Sequence, residues 1–270
     1  MWSRDDLQTR IDPACIGMIH LDPLPGAPRY EGALERVVAH ALADLEALTA
    51  GGVTAVMVEN FHDTPFHPGR VPPETVAAMA VVAAEMRRAA PAVRLGVNVL
   101  RNDADAALGL AASVAADLIR VNVHTGSMVT DQGTLEGQAH RTLRRRRELG
   151  LDRVGILADL RVKHAAPLAA RDLVDEARDL RLRGMADALI VSGEATGAPA
   201  DPRALQAVRD ALPDCPLLVG SGVTGDNVAE LLTTADAVIV GTSLKGARGR
   251  IDPGRVRALV AVLAHRKEGS

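Results

Sequence analysis

Cysteine is scarce in this sequence, and long apolar runs are absent. The two cysteines among 270 residues, Cys15 and Cys215, both fall in predicted strands, so we expect no disulfide framework and a protein of the reducing cytoplasm. No apolar run approaches the roughly 20 residues that a membrane-spanning helix needs, and the N-terminus lacks the apolar segment of a signal peptide. The sequence therefore predicts neither export nor direct membrane insertion.

A strong charge of either sign is also missing. The net charge is -3, with 47% apolar and 24% charged residues, which is the composition of an ordinary globular protein. This balance predicts no nucleic-acid partner. The sequence contains no His-x-x-x-His motif and no carboxylate cluster with ligand spacing, so we expect no metal and no cofactor.

Lysine is rare. Of the 31 basic residues only Lys163, Lys245 and Lys267 are lysine, and all others are arginine. The chain thus places arginine wherever a positive charge of either kind would serve. A lysine that remains is a candidate for a role that needs an amine.

Short apolar runs alternate with helical patterns along the chain. Eight strand-then-helix units in about 250 residues describe a single (β/α)8 TIM-barrel domain, which we assign to residues 1–270. A doubly wound open sheet is the alternative, but no Gly-x-Gly-x-x-Gly turn follows the first strand. The predicted strands cover residues 15–20, 53–60, 94–101, 118–123, 154–160, 188–193, 217–219 and 237–240.

Loop lengths predict which face of the barrel is active. The loops after predicted strands one, two, four and six are long, and irregular loops of that length are usually functional. Polar residues gather at these strand ends, which favours an enzyme. The two histidines among them are candidate bases, although such histidines are more often structural hydrogen-bonders. We predict that the substrate contacts His20, Asn98, Arg101, Asn102, Arg120, Asn122, Asp131, His164 and Ser192.

Three residues are the candidate catalytic groups. Glu59 ends the second predicted strand and Asp159 the fifth, so the two carboxylates face each other across the mouth and can serve as acid and base. Alternatively, each carboxylate simply pairs with Arg101 or Arg120. Lys163 follows the fifth strand, where an imine-forming or phosphate-pairing amine fits, and the alternative is a surface lysine.

The last two predicted strands end in Gly-Ser-Gly and Gly-Thr-Ser. Glycine lets the backbone approach a ligand, and free N–H groups at two adjacent strand ends, one leading to a helix near residues 224–227, form a cup for an anion. Tight turns alone would also explain these glycines. Because the pair stands at the end of a βα series, we predict phosphate binding by Ser221, Gly222, Gly241, Thr242 and Ser243.

Long motifs over about residues 12–260 resemble the BtpA/SgcQ family. They are residues 17–30 (Gly-Met-Ile-His-Leu-Asp-Pro-Leu-Pro-Gly-Ala-Pro-Arg-Tyr) together with 58–61, 98–103, 120–123, 130–133, 158–165 and 241–245. The resemblance implies a barrel of the ribulose-phosphate-binding type. The family takes its name from a cyanobacterial protein associated with photosystem I accumulation at the thylakoid membrane, and its SgcQ branch is labelled a nucleosidase.

Three functions remain open from the sequence. The first is a nucleosidase-like hydrolase that cleaves a glycosyl bond in a small phosphorylated sugar or nucleoside-type substrate, with Glu59 or Asp159 activating water. The second is a lyase or aldolase that uses Lys163 as its imine-former. The third is a non-catalytic assembly factor linked to photosystem I biogenesis. Alanine-rich exposed helix faces also predict a homo-oligomer.

Overall fold

A closed barrel of eight parallel strands forms the centre of the protein. The computed structural model describes residues 1–169, 171–193, 200–247 and 249–268, with side chains up to residue 265. The predicted (β/α)8 fold is confirmed. In barrel order the strands are β1 (Cys15–His20), β2 (Ala55–Glu59), β3 (Arg94–Asn98), β4 (Leu118–Val121), β7 (Gly155–Asp159), β9 (Ala188–Val191), β10 (Leu217–Val219) and β11 (Ala237–Val240).

Helices surround the barrel and start where the sequence places its caps. Pro73 opens the third helix, and the side chains of Asp103 and Asp201 cap the fourth and seventh. The helix predicted from about residue 170 begins at Leu173, and residue 170 itself lies outside the described residues. The helices are α1 (Arg4–Arg10), α2 (Leu34–Ala50), α3 (Pro73–Ala89), α4 (Ala104–Val114), α5 (Ala139–Glu148), α6 (Leu173–Arg178), α7 (Pro202–Ala211), α8 (Val228–Thr234) and α9 (Pro253–Glu268).

The barrel interior follows the two-residue period of its strands. Alternate residues of each strand point inward, so the inward positions can be followed from the floor to the mouth. In the lower part these positions are apolar and fully buried, for example Ile16, Met57, Leu157 and Leu218. The next inward position on most strands is polar, so the polar groups collect at the C-terminal ends of the strands.

A short N-terminal helix closes the floor of the barrel. Helix α1 carries a capping box between Ser3 and Asp6, and its Leu7 is fully buried in the interior cluster. Trp2 enters the same cluster beside Gly155, where a Cβ atom would lie only 2.1 Å from the indole ring. The glycine is therefore required by the close approach of the tryptophan.

An accessory sheet lies beside the barrel mouth. The hairpin β5 (Ser127–Thr130) and β6 (Gly133–Glu136) follows β4, and β8 (Ala165–Pro167) follows β7. Strand β5 pairs antiparallel with both of the others, so the order is β6-β5-β8. Its inner face buries Met128 and Leu135 against Val123 and Val162. The sheet thus joins two of the loops that leave the barrel at its C-terminal face.

Arginine–aspartate clamps brace the opposite, N-terminal face. In each clamp an arginine near a helix end pairs with an aspartate directly before a strand, and the carboxylate also accepts an N–H from the neighbouring strand. Such shared carboxylates fix the spacing of helix and strands. Among the described residues the pairs are Arg87–Asp117, Arg146–Asp187 and Arg209–Asp236.

The arginine run at residues 144–147, whose charge predicts a solvated helix face, also contributes to one of these clamps. Arg146 is only 14% exposed at its side chain, and it donates to the Asp187 carboxylate at 2.6 Å and to the Val154 carbonyl at 3.1 Å. It belongs to a clamp because helical geometry turns one residue of such a run toward the barrel.

None of the described helices has the length and apolarity to cross a membrane.

Candidate functional site

A cavity of about 270 Å³ opens at the C-terminal face of the barrel. Its walls combine backbone from the ends of β10 and β11 with side chains from β1, β2, β4 and the loop after β7. This is the face that loop lengths predict to be active. The lining residues are Met18, His20, Glu59, Phe61, Arg120, Lys163, Gly220, Ser221, Gly222, Val223, Thr224, Ile239, Val240, Gly241, Thr242 and Ser243.

Two adjacent glycines create the space. Gly220 and Gly241 occupy the inward positions that follow the buried residues Leu218 and Ile239, so two neighbouring strand ends lack a side chain. A Cβ atom on Gly241 would lie 3.2 Å from Cε1 of His20, and one on Gly220 would lie 2.7 Å from Oγ of Ser192. The cavity exists because these positions are empty while the other strand ends carry polar groups.

Backbone N–H groups form one wall of the cavity. Among the described residues, no hydrogen bond is donated by the backbone N–H of Gly222, Val223, Gly241 or Thr242. The hydroxyl of Ser243 donates to the Val223 carbonyl at 2.6 Å and so ties the two strand ends together. We call these N–H groups, with the hydroxyls of Ser221 and Thr242, the cup. Its composition suits an anion.

The helix after β10 starts beyond the cup. Helix α8 begins at Val228 with Asn227 before it, and the Asn227 side chain accepts from the Thr224 N–H at 2.8 Å and donates to the Gly222 carbonyl at 2.8 Å. Thr224 therefore lines the cavity from a loop, and Gly222 adopts a positive φ of 66°. On the β10 side the cup therefore consists of loop backbone, whereas on the β11 side Gly241 and Thr242 stand at the start of a short 3-10 helix, Thr242–Leu244.

Arg120 and Asp159 form a buried ion pair. Nε and Nη2 of Arg120 donate to the two carboxylate oxygens of Asp159 at 3.1 and 2.8 Å, and Nδ2 of Asn122 donates to the same carboxylate at 2.7 Å. Burial lowers the pKa of Arg120, but the charge and hydrogen bonds of Asp159 outweigh this effect, so the pKa lies above its ordinary value. Asp159 therefore pairs with Arg120, as the alternative to a catalytic role predicts.

Glu59 has different partners. Its carboxylate accepts a hydrogen bond from Asn98 and lies 3.8 Å from Nε2 of His20, and within the described chain it pairs with no arginine or lysine. His20 stacks on Phe61 at 4.3 Å between ring centroids. Burial, followed by the positive charge of Lys245, holds the pKa of His20 well below its ordinary value, so this imidazole is neutral.

Lys163 faces the cavity without an ion-pair partner among the described residues. Burial, and next the positive charge of Arg120, lower the pKa of its amine. Its backbone carbonyl accepts from Nη2 of Arg101 at 2.6 Å. Lys163 is therefore a partly buried amine at the mouth rather than a surface lysine.

The other residues predicted to contact substrate lie around the cavity, not in its wall. Asn102 is held by two hydrogen bonds with the backbone of Val123, and Asp131 is exposed at the β5–β6 turn. His164 is exposed, with a positive φ of 54°. Ser192 lies beside Gly220, and its buried Oγ atom finds no partner in the described part of the chain.

Several lining residues are absent from the predicted site, and the aromatic one among them is Phe61. It directly follows the strand end that carries Glu59, and only four of the 270 residues are Phe, Tyr or Trp, so its position next to a predicted site is a usable signal. The described residues contain no group of three or more histidine, cysteine, aspartate or glutamate side chains that could hold a metal ion.

Barrels that act on phosphorylated sugars have the same architecture. N-(5'-phosphoribosyl)anthranilate isomerase from Pyrococcus furiosus is 15% identical, with a TM-score of 0.57 over 93% of this chain and 98% of that chain. The 2-keto-3-deoxy-6-phospho-gluconate aldolase from Zymomonas mobilis is 14% identical, with a TM-score of 0.55 over 96% of this chain and 95% of that chain. The protein thus has the TIM-barrel fold that these enzymes share.

Within that class, the chain belongs to the BtpA family, whose model matches residues 12–265. The photosystem I biogenesis protein BtpA of Synechocystis is 46% identical over 252 residues, which cover 92% of this chain and 87% of the relative. The family resemblance read from the sequence motifs is confirmed.

Proposed function

We propose that this protein is an enzyme that acts on a small phosphorylated sugar or nucleoside-type substrate and cleaves its glycosyl bond. One observation carries the proposal: a single cavity joins the cup to Glu59, a buried carboxylate that no cationic side chain neutralises among the described residues. The cup would hold the phosphate, and Glu59 would serve as general acid and base at the other side.

The size and charge of the cavity support a small anionic ligand. Its volume of about 270 Å³ lies below the 300–1,000 Å³ typical of drug-sized ligands, so a single-ring phosphate fits better than a dinucleotide. Lys163 supplies a positive charge that no described carboxylate neutralises, and the cup supplies N–H donors. Phosphate oxygens pair well with both kinds of donor.

In the proposed hydrolysis, Glu59 takes a proton from water while the water oxygen forms a bond to the anomeric carbon. The glycosyl bond breaks, its electron pair stays on the leaving group, and the proton held by Glu59 is returned to that group. Asn98 orients the Glu59 carboxylate by its hydrogen bond. We assign Asp159 a positioning role toward Arg120, because its oxygens already accept three hydrogen bonds.

A lyase is the second candidate, and Lys163 favours it. An amine with a lowered pKa that faces a cavity can attack a carbonyl carbon and form an imine with loss of water. Trapping with borohydride in the presence of substrate separates the two reactions, since only the imine is reduced to a stable secondary amine. An assembly role, as the name of the Synechocystis relative suggests, gives no reason for Glu59 and Lys163 to share a cavity with the cup.

We also propose that the protein works as a homo-oligomer in a reducing cytoplasm. Cys15 and Cys215 are free thiols, and burial raises the pKa of the first to about 12 and of the second to about 11, so both stay protonated. Leu168 and Leu182 are each 61% exposed and offer apolar contact surface. Light scattering on the purified protein measures the oligomeric state.

The test of the enzymatic proposal combines binding and turnover. Phosphorylated sugars, nucleotides and inorganic phosphate are screened by thermal shift, because a ligand present at 100 times its Kd stabilises the native state by about 2.7 kcal/mol. Glu59→Gln should then keep ligand binding while turnover falls roughly 10²- to 10⁴-fold. Gly241→Val should lose ligand binding, since its side chain would enter the cavity beside His20.

Two results would contradict the proposal. One is a Glu59→Gln protein that turns over the identified substrate at the wild-type rate. The other is a Gly241→Val protein that binds phosphorylated ligands as tightly as the wild type. Either result would separate the cavity from the chemistry.

A further inference from the structure

Lys163 lies on a segment that two different parts of the fold hold in place. It stands between Asp159, the last residue of β7, and Ala165, the first residue of β8. Strand β8 pairs with β5 in a register that places Thr130 opposite Ala165. Val162, the residue before Lys163, is buried against the apolar inner face of the accessory sheet. The segment is therefore tied to the loop after β4.

Arg101 holds the same segment from the other side. It follows the end of β3, is only 7% exposed, and donates from Nη2 to the Lys163 carbonyl at 2.6 Å. Among the described residues it forms no ion pair, and burial lowers its pKa. A buried guanidinium without a carboxylate partner lowers the stability of the fold. A functional role for its hydrogen bond to the Lys163 carbonyl would account for this loss.

We propose that Arg101 and the accessory sheet together position Lys163, so that its amine points into the cavity. This inference rests on the proposed function, in which Lys163 faces the substrate. Arg101 is then a positioning residue that acts through the Lys163 backbone, and it does not itself contact substrate. The positioning of Lys163 gives the accessory sheet a role, since a closed barrel does not itself require the sheet that the loops after β4 and β7 form.

Arg101 also acts on Lys163 through its charge. Burial and then Arg120 lower the pKa of the Lys163 amine, Asp159 and Glu59 raise it, and the Arg101 guanidinium adds a smaller lowering effect. Removing it will raise the pH at which the amine becomes reactive, because the protonated form loses a repulsive neighbour. A role limited to general stability would leave that pH midpoint unchanged.

The experiment uses the scarcity of lysine. Pyridoxal 5'-phosphate, a phosphorylated aldehyde, is incubated with the protein and borohydride is added. The neutral amine attacks the aldehyde carbon, water leaves to form the imine, and hydride from borohydride gives a secondary amine that peptide mass spectrometry locates. With Lys163, Lys245 and Lys267 as the only lysines, each labelled position is read separately, and the ratio of Lys163 to Lys245 labelling is followed against pH.

Two kinds of variant carry the test. Arg101→Met should lower the ratio by about tenfold or more, since small misplacements of a reacting group have effects of this size, and should raise the pH midpoint. Arg101→Lys keeps the charge and should restore the midpoint and part of the ratio. Ala166→Pro leaves Arg101 intact but removes an N–H from the exposed strand β8, and it should lower the ratio as well.

An unchanged ratio and midpoint in Arg101→Met, or in Ala166→Pro if the first variant does not fold, would overturn the inference. Stabilisation by inorganic phosphate is measured on the same proteins and reports on the cup alone. If phosphate fails to bind the wild type, the proposed function fails. Reductive methylation with formaldehyde, which needs no cup, then still shows whether Lys163 depends on Arg101.

Discussion

Breaking the buried Arg120–Asp159 pair from one side should lower the free energy of unfolding by about 3–5 kcal/mol. The two side chains are only 6% and 0% exposed, so water cannot replace a lost partner. In Arg120→Met the Asp159 carboxylate keeps one hydrogen bond, from Asn122. In Asp159→Asn the Arg120 guanidinium stays buried without its ion-pair partner. Each single variant therefore leaves an uncompensated charge in the barrel.

In the double variant Arg120→Met with Asp159→Asn, the free energy of unfolding should fall by much less than the sum of the decreases in the two single variants. Both charges are then gone, and the new amide oxygen can still accept from Asn122. Urea denaturation followed by the fluorescence of Trp2, the sole tryptophan, measures all three proteins. Arg147→Met is the control, because its pair with Asp152 is 80% and 59% exposed and should contribute less than about 1 kcal/mol.

Additive losses in the double variant would refute this account of the pair. So would single losses below about 1 kcal/mol. Either outcome would return Asp159 to the list of groups that are free to act as an acid or base. The double variant should also keep its affinity for inorganic phosphate, because the cup is built from residues that follow β10 and β11 and includes neither of the changed side chains.

Two further predictions concern the floor and the mouth of the barrel. Gly155→Ala should expel the Trp2 ring, with a red-shifted emission and a loss of about 1–3 kcal/mol, and unchanged emission would contradict the packing. His20→Gln tests pH dependence. Burial holds the pKa of His20 in the folded state well below 6.5, so as the pH falls the unfolded state protonates this imidazole first. The free energy of unfolding of the wild type therefore decreases below pH 6.5, by up to about 1.4 kcal/mol per pH unit. The variant should show a shallower decrease in urea denaturation series, and equal slopes would contradict the assignment.

Much of the barrel could be predicted because its signals are local. A buried parallel strand is a continuous apolar run, and its inward positions repeat every second residue. That period also leads from Met57 to Glu59 and from Leu157 to Asp159, so the polar ring at the mouth follows from the same pattern. The paired glycine turns predicted the cavity wall, because only residues without a side chain leave such a space.

The remaining parts depend on distant partners. Helix α1 has seven residues, too few to show a helical period, and it is stable because Leu7 enters the barrel floor. The strands of the accessory sheet have three or four residues each, and β8 pairs with a strand more than 30 residues earlier. For the same reason the sequence could not show that Asp131 turns outward. The apolar run at residues 56–58 favoured Glu59 over Asp159 as the base, but the hydrogen-bond partners of the two carboxylates come from other strands and could not be read from that run.

The arginine–aspartate clamps divide the barrel into blocks. Each clamp joins the end of one helix to the start of the next strand and of the strand after it, so β3 with β4, β7 with β9, and β10 with β11 each form a locked block. The first two strands have no such clamp in the described part of the chain. Helix α1 packs into the barrel floor, and Arg250 pairs with Asp22, after β1, and with Asp44 of α2. A circular permutant whose new ends fall between blocks would keep all three clamps, whereas a cut inside a block would separate an arginine from its aspartate along the chain.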